Sequence, residues 1–340
     1  MRPPPDLTAL PPLVTRERAL RTLTRHQLDG ALASGRLGRV RRGLYDDPGR
    51  SARLTTPARH VGLAEAVQAS ETGAVLSHVS AALVWGLPNP RWTTPRIQLT
   101  VTGRARTSRA ESAVLLHRAA LPHRHRAVVD GLCVTSPART VLDCFRTLPL
   151  GDALAVADAA FRRELLEAVH LEDALEVMHR WPQLERVHRG IPLIDPRREN
   201  WLESFSAAAL ATHGVPLATP QVAVYDLDGT FVARVDALWQ EHGVIGEADG
   251  AGKYLGDFDE AGDRSPEAVA RRVIAAGVRE SRLRDLGFGV VRWDPREITT
   301  NPARVARRFH VTAAATDRSR IRALVRLEGS PAATSYPPAR

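Results

Sequence analysis

The sequence predicts a multidomain α/β chain, on three observations. Its 340 residues amount to two or three domains at roughly 100–200 residues each. Hydrophobic residues make up 44% and charged residues 25%, a globular composition that excludes collagen, coiled coil and disorder for most of the chain. Amphipathic helical stretches and short β-branched runs follow one another between turn-rich segments. These place a helix-turn-helix domain at 1–50, an α/β domain with a linker at 51–195, a second α/β domain at 196–312 and a basic, partly disordered tail at 313–340. No run approaches 18 uncharged apolar residues, MRPPPDLTAL lacks the apolar stretch of a secretory signal, and Cys133 and Cys144 are too few for a disulfide scaffold or a zinc site. The expectation is a cytoplasmic protein with no membrane partner.

The first unit is predicted from its caps. Thr15 opens a helix through Leu23, and Thr24 with Gln27 forms a Thr-x-x-Gln capping box for a second helix that stops at Gly35. GRLGRVRRGLY then reads as a hairpin carrying Arg39, Arg41 and Arg42. Residues 1–45 hold nine arginines against Asp6, Glu17 and Asp29. A polar helix start (Arg25, His26 and Gln27) followed by a basic ribbon suits a winged helix on double-stranded DNA, with the helix in the major groove and the wing on phosphates.

In the middle unit, Ser77 opens a helix stopped by Gly86 and Pro88, 96–101 and 113–119 read as strands, and Ser136 with Pro137 starts another helix. Two amphipathic helices follow, DALAVADAAFRREL and LEDALEVMHRW. Ser77–His78 suggests a triad but the sequence offers no orienting acid, so a helix cap is the preferred reading. HRHR at 123–126 reads as a basic surface loop. Residues 180–198 read as a linker.

The last unit reads α-β-β-β-α-β. FVARVDALW and VIGEAD are joined by Gln240–Gly243, and a tip centred on Glu241–His242 sets Asp236 across from Glu247, with Asp249 two residues on. Three carboxylates interrupting apolar strands repel unless a cation offsets them, and hard oxygen ligands favour Mg²⁺ or Mn²⁺. Lys253 follows in EADGAGKY, the only lysine among 47 basic residues. A compact ammonium beside such a site can hold a phosphate or polarise water, which a forked guanidinium does less well.

These residues carry a resemblance. Glu203–Ser204 on a helix, RVDALW, GEADGAGKY and GFGVVRWDP resemble the PD-(D/E)XK nuclease-like superfamily in its very-short-patch-repair-endonuclease-like branch. TRHQLDGALASGRLGRVRRGLY, VLSHVSAALVWGLP and DGLCVTSPARTVLDC resemble AbiEi-type antitoxins of type IV toxin–antitoxin systems. The resemblance implies a DNA-binding, antitoxin-like transcriptional regulator with a nuclease-like domain and a protein toxin as partner. It also implies an alternative, a Mg²⁺-dependent endonuclease using Asp236, Glu247, Asp249, Lys253 and Glu203 as catalytic residues, the first three as metal ligands. The nuclease pattern sets its lysine two residues after the acid. Asp249 stands there and Lys253 lies four further on, which favours the regulator.

Overall fold

The computed structural model describes residues 6–41, 43–70, 73–88, 96–102, 114–249, 265–330 and 332–336. It is an α/β chain with three sheets among the described residues. Contacts divide it into two units, one of residues 1–147 with 165–184, the other of 148–164 with 185–340.

The first unit opens with β1 (Leu13–Thr15), α1 (Arg16–Thr22), α2 (Arg25–Ala33), β2 (Gly38–Arg41) and β3 (Leu44–Asp46). The strands form an antiparallel sheet in the order β1-β3-β2. Both helices begin as the sequence predicts. Thr15 accepts from the amide of Arg18, and Thr24 and Gln27 form the reciprocal capping box. Leu28 and Ala31 of α2 pack with Val14, Ala19, Leu23, Leu37 and Tyr45. Gly43 turns the hairpin at φ +79°, a conformation that favours glycine.

Next come α3 (Pro48–Ser51), α4 (Thr56–Ser70), β4 (Val75–Leu76), α5 (His78–Val84), β5 (Ile97–Val101), β6 (Val114–Arg118), β7 (Arg126–Val129), β8 (Leu132–Thr135) and α6 (Pro137–Thr147). The five strands form a mixed sheet in the order β6-β5-β4-β8-β7. Its core joins Leu76, Ile97, Leu99 and Val134 to Ala64, Val67 and Ala81 of the helices.

The second unit begins with α7 (Leu150–Arg162), whereas α8 (Ala168–Met178) belongs to the first. The contact units do not divide at residue 195. The reason is packing: α7 is buried almost all round and lies against α10 (Trp201–Ala211). A Cβ on Gly151 would stand 2.5 Å from the Phe205 ring, so the two helices approach closely only because residue 151 is glycine. The expected linker is also structured. It holds α9 (Leu184–Gly190), and Arg198 is buried in an ion pair with Asp158 at 2.9 Å.

After α10 come β9 (Thr219–Tyr225), β10 (Phe231–Trp239), β11 (Val244–Ala248), α11 (Pro266–Asp285) and β12 (Gly289–Trp293), the predicted α-β-β-β-α-β order. α12 (Pro295–Thr300) and α13 (Pro302–Ala315) follow. The tail expected to be partly disordered contributes two strands among its described residues. β13 (Ala323–Arg326) and β14 (Thr334–Tyr336) extend the sheet to β12-β11-β10-β9-β13-β14. Alternating Ala323, Val325 and Tyr336 give them a buried face, which the surrounding arginines mask in the sequence. One sheet face packs on Leu283 of α11, and the other on α10 and α13 through Leu202, Leu210 and Phe309.

Candidate functional site

The hairpin of β10 and β11 has the expected register: Ala237 opposite Gly246, Leu238 opposite Ile245, Trp239 opposite Val244. The ladder ends one pair short of Asp236 and Glu247. There Asp236 accepts the backbone N–H of Ala248 through Oδ2 at 2.9 Å. Val235 and Leu238 join the same core cluster although three residues apart, so the alternation of β10 slips between them. Opposite the slip, Gln221 of β9 holds φ +55°, an uncommon conformation for a residue with a Cβ.

This irregularity divides the acids into two sets. Asp236 and Glu203 line one small cavity of about 30 Å³, with Arg198, Ser206, Trp239 and Trp293. Glu203 is fixed there. Its Oε2 accepts from the Glu199 amide and from Gln221 Nε2, each at 2.9 Å, and its Oε1 accepts from Asn200. Gln221 is a member of this cluster that the sequence reading missed. Its signal was a buried amide in an apolar strand, and only the strained backbone makes it stand out.

Glu247 and Asp249 belong to the other set. Glu247 Oε2 lies 4.0 Å from Arg279 of α11. Asp249 is gripped by Arg292 of β12, Nε to Oδ2 at 2.6 Å and Nη2 to Oδ1 at 2.8 Å. Arg292 also reaches Glu280 of α11 at 2.7 Å. Asp236 and Glu203 thus line one cavity, while Asp249 is paired with the Arg292 guanidinium. Among the described residues no group of three His, Cys, Asp or Glu side chains could hold a metal. Lys253 lies outside the described residues.

The N-terminal basic element is better assembled. Arg25 and His26 are exposed in the first turn of α2, and Arg39 is exposed on β2. Arg41 ends β2, and Arg42 lies outside the described residues. Gln27 differs from expectation. Its Oε1 accepts from the Thr24 amide at 2.8 Å and the Thr24 hydroxyl at 3.0 Å. Two-point reading of adenine needs both the oxygen and the nitrogen of the amide, so the capping role withdraws Gln27 from it.

The first unit also contains a buried polar cluster. Ser77 begins α5 without a side-chain capping bond, and its Oγ lies 2.9 Å from His78 Nδ1. The acid that the sequence did not supply is Asp143 of α6, 3.9 Å from His78 Nε2. That separation exceeds a hydrogen bond, and Ser77, His78 and Asp143 are all buried, so the group is a polar core. Asp143 is paired with Arg139 at 2.8 Å and Arg146 at 3.1 Å, and both guanidiniums lie over the Trp181 ring. Burial lowers the His78 pKa to about 3, helped by Arg146 and Arg139. Burial pushes Asp143 up, and the two guanidiniums pull it back. The HRHR segment is likewise not wholly a surface loop: His125 is buried.

No family model matches the chain, and no curated protein matches it.

Proposed function

We propose that the chain is a DNA-binding transcriptional regulator of the antitoxin type, whose last unit is a nuclease-like domain in a structural role. The observation that carries this reading is the exposed first turn of α2, with Arg25 and His26 held in place by the Thr24–Gln27 box beside a basic hairpin. The element order, two helices and then a short antiparallel ribbon, suits a winged helix in the major groove with Arg39, Arg41 and Arg42 on phosphates. The net charge of +9 favours a polyanionic partner. A protein toxin enters as the partner the antitoxin resemblance implies.

The endonuclease alternative draws on Asp236 and Glu203, which share a cavity. The pairing of Asp249 with Arg292 weighs against it. Gel-shift titration on duplex DNA at several salt concentrations tests the regulator. A plasmid-nicking assay with Mg²⁺ or Mn²⁺, run beside Asp236→Ala, tests the alternative, and metal-dependent nicking lost in that variant would reverse the preference.

A further inference from the structure

A cavity of about 240 Å³ opens in the first unit, lined by Arg124, His125, Ser136, Ala138, His170 and Asp173 among others. It lies at the N-terminus of α6, an 11-residue helix. Pro137 sets the first turn without an N–H, and the amides that follow leave partial positive charge there. The independent observation is His125. It is 3% exposed, and neither ring nitrogen has a hydrogen-bond partner among the described residues, although its backbone is used at both ends, by Pro122 and by Ser136. A buried imidazole with two unsatisfied nitrogens is costly unless something meets them. Arg124 is exposed beside it. His170 accepts from the Glu167 amide through Nδ1, which leaves Nε2 as its donor.

We propose that this cavity binds the singly protonated form of a phosphate monoester or of inorganic phosphate. The neutral imidazole of His125 offers one donor and one acceptor. A phosphate group that keeps one O–H matches both. Arg124 and the start of α6 meet its negative oxygens. Asp173 selects among anions: a carboxylate accepts from the O–H of a protonated phosphate and repels an anion that has none. Sulfate and the phosphodiesters of DNA carry no such proton, so the same chemistry excludes them. Burial lowers the His125 pKa, with Arg139 and Arg124 adding to the effect and Asp143 and Asp173 opposing it.

The test uses the full chain at pH 6, near the second pKa of about 6 of a phosphate monoester. Inorganic phosphate, methyl phosphate, dimethyl phosphate and sulfate are titrated at matched ionic strength, following the His125 ring signals by NMR and the melting temperature. Phosphate and methyl phosphate should shift both in a saturable manner. Sulfate and dimethyl phosphate should bind at least tenfold more weakly. Arg124→Ala, at an exposed position, should weaken phosphate about tenfold, His125→Leu should abolish its effect, and Asp173→Asn should narrow the gap between sulfate and phosphate. Equal responses to phosphate and sulfate in the unmodified chain, or no saturable shift at millimolar phosphate, would overturn the proposal. So would phosphate binding undiminished in Arg124→Ala.

Discussion

Arg292 holds Asp249 by two parallel hydrogen bonds, and its remaining nitrogen reaches Glu280. The three side chains tie β12 to the end of β11 and to α11. Asp249→Ala should therefore act as a stability variant. Each partner is about a quarter exposed, which reduces the worth of the pair to about 1 kcal/mol. Urea unfolding should show that loss, with DNA affinity unchanged. A loss of metal-dependent nicking in this variant without a loss of stability would assign Asp249 to chemistry.

If the N-terminal element binds DNA as proposed, its basic residues divide by task. Replacing Arg39, Arg41 and Arg42 with alanine should remove up to three phosphate contacts and flatten the log K against log[salt] slope by at most ~3. Arg25→Ala or His26→Ala should change which sequences are preferred, at about 1–3 kcal/mol for a lost base contact. Gln27→Ala should instead cost about 1 kcal/mol of folding stability through the broken capping box. Gel-shift titrations paired with thermal melts separate the three effects.

The buried cluster of the first unit gives a larger effect. Asp143→Ala would leave Arg139, which is fully buried, without its carboxylate. Removing one member of a buried pair costs about 3–5 kcal/mol. The variant should melt far below the parent. Asp143→Asn should recover part of the loss, because the amide oxygen still accepts from Arg139.

Buried histidines predict the direction of the pH dependence. His60 and His78 have folded pKa values lowered to about 4 and about 3, first of all by burial. In the unfolded chain they titrate near the ordinary value of about 6.5. Below that pH the unfolded state binds more protons, so stability falls as the pH drops from 6.5 toward 4. Each histidine contributes up to ~1.4 kcal/mol per pH unit. Urea midpoints at pH 7, 6 and 5 check this, and His60→Gln should reduce the slope.

The local elements were legible in the sequence because their signals are local. Thr24–Gln27, Gly35 and Ser136–Pro137 mark helix ends through hydrogen bonds and dihedrals within a few residues. The register of β10 on β11 was legible for the same reason, a short tip between two apolar strands. Direction of side chains was not. The slip at Asp236 lies opposite Gln221, fifteen residues earlier, and the capture of Asp249 depends on Arg292, 43 residues on. The two contact units follow packing rather than chain order. Nothing local tells α7 from α8, yet Phe205 and Trp201 claim the former, the latter residue through an indole N–H on Asp152 at 2.7 Å.

That interleaving has a consequence for biosynthesis. α7 leaves the ribosome about fifty residues before the end of α10, and well before the sheet that completes its unit. At about 5–20 residues per second, an alanine-rich helix apolar on nearly every side waits roughly 2–10 seconds for its first partner. α8, made after it, is already claimed by the earlier unit. Neither unit can finish folding while the other is untranslated in the stretch between 148 and 184. A nascent chain stalled once α7 has left the ribosome but before α10 has should therefore be a chaperone client, whereas one released past residue 336 should not.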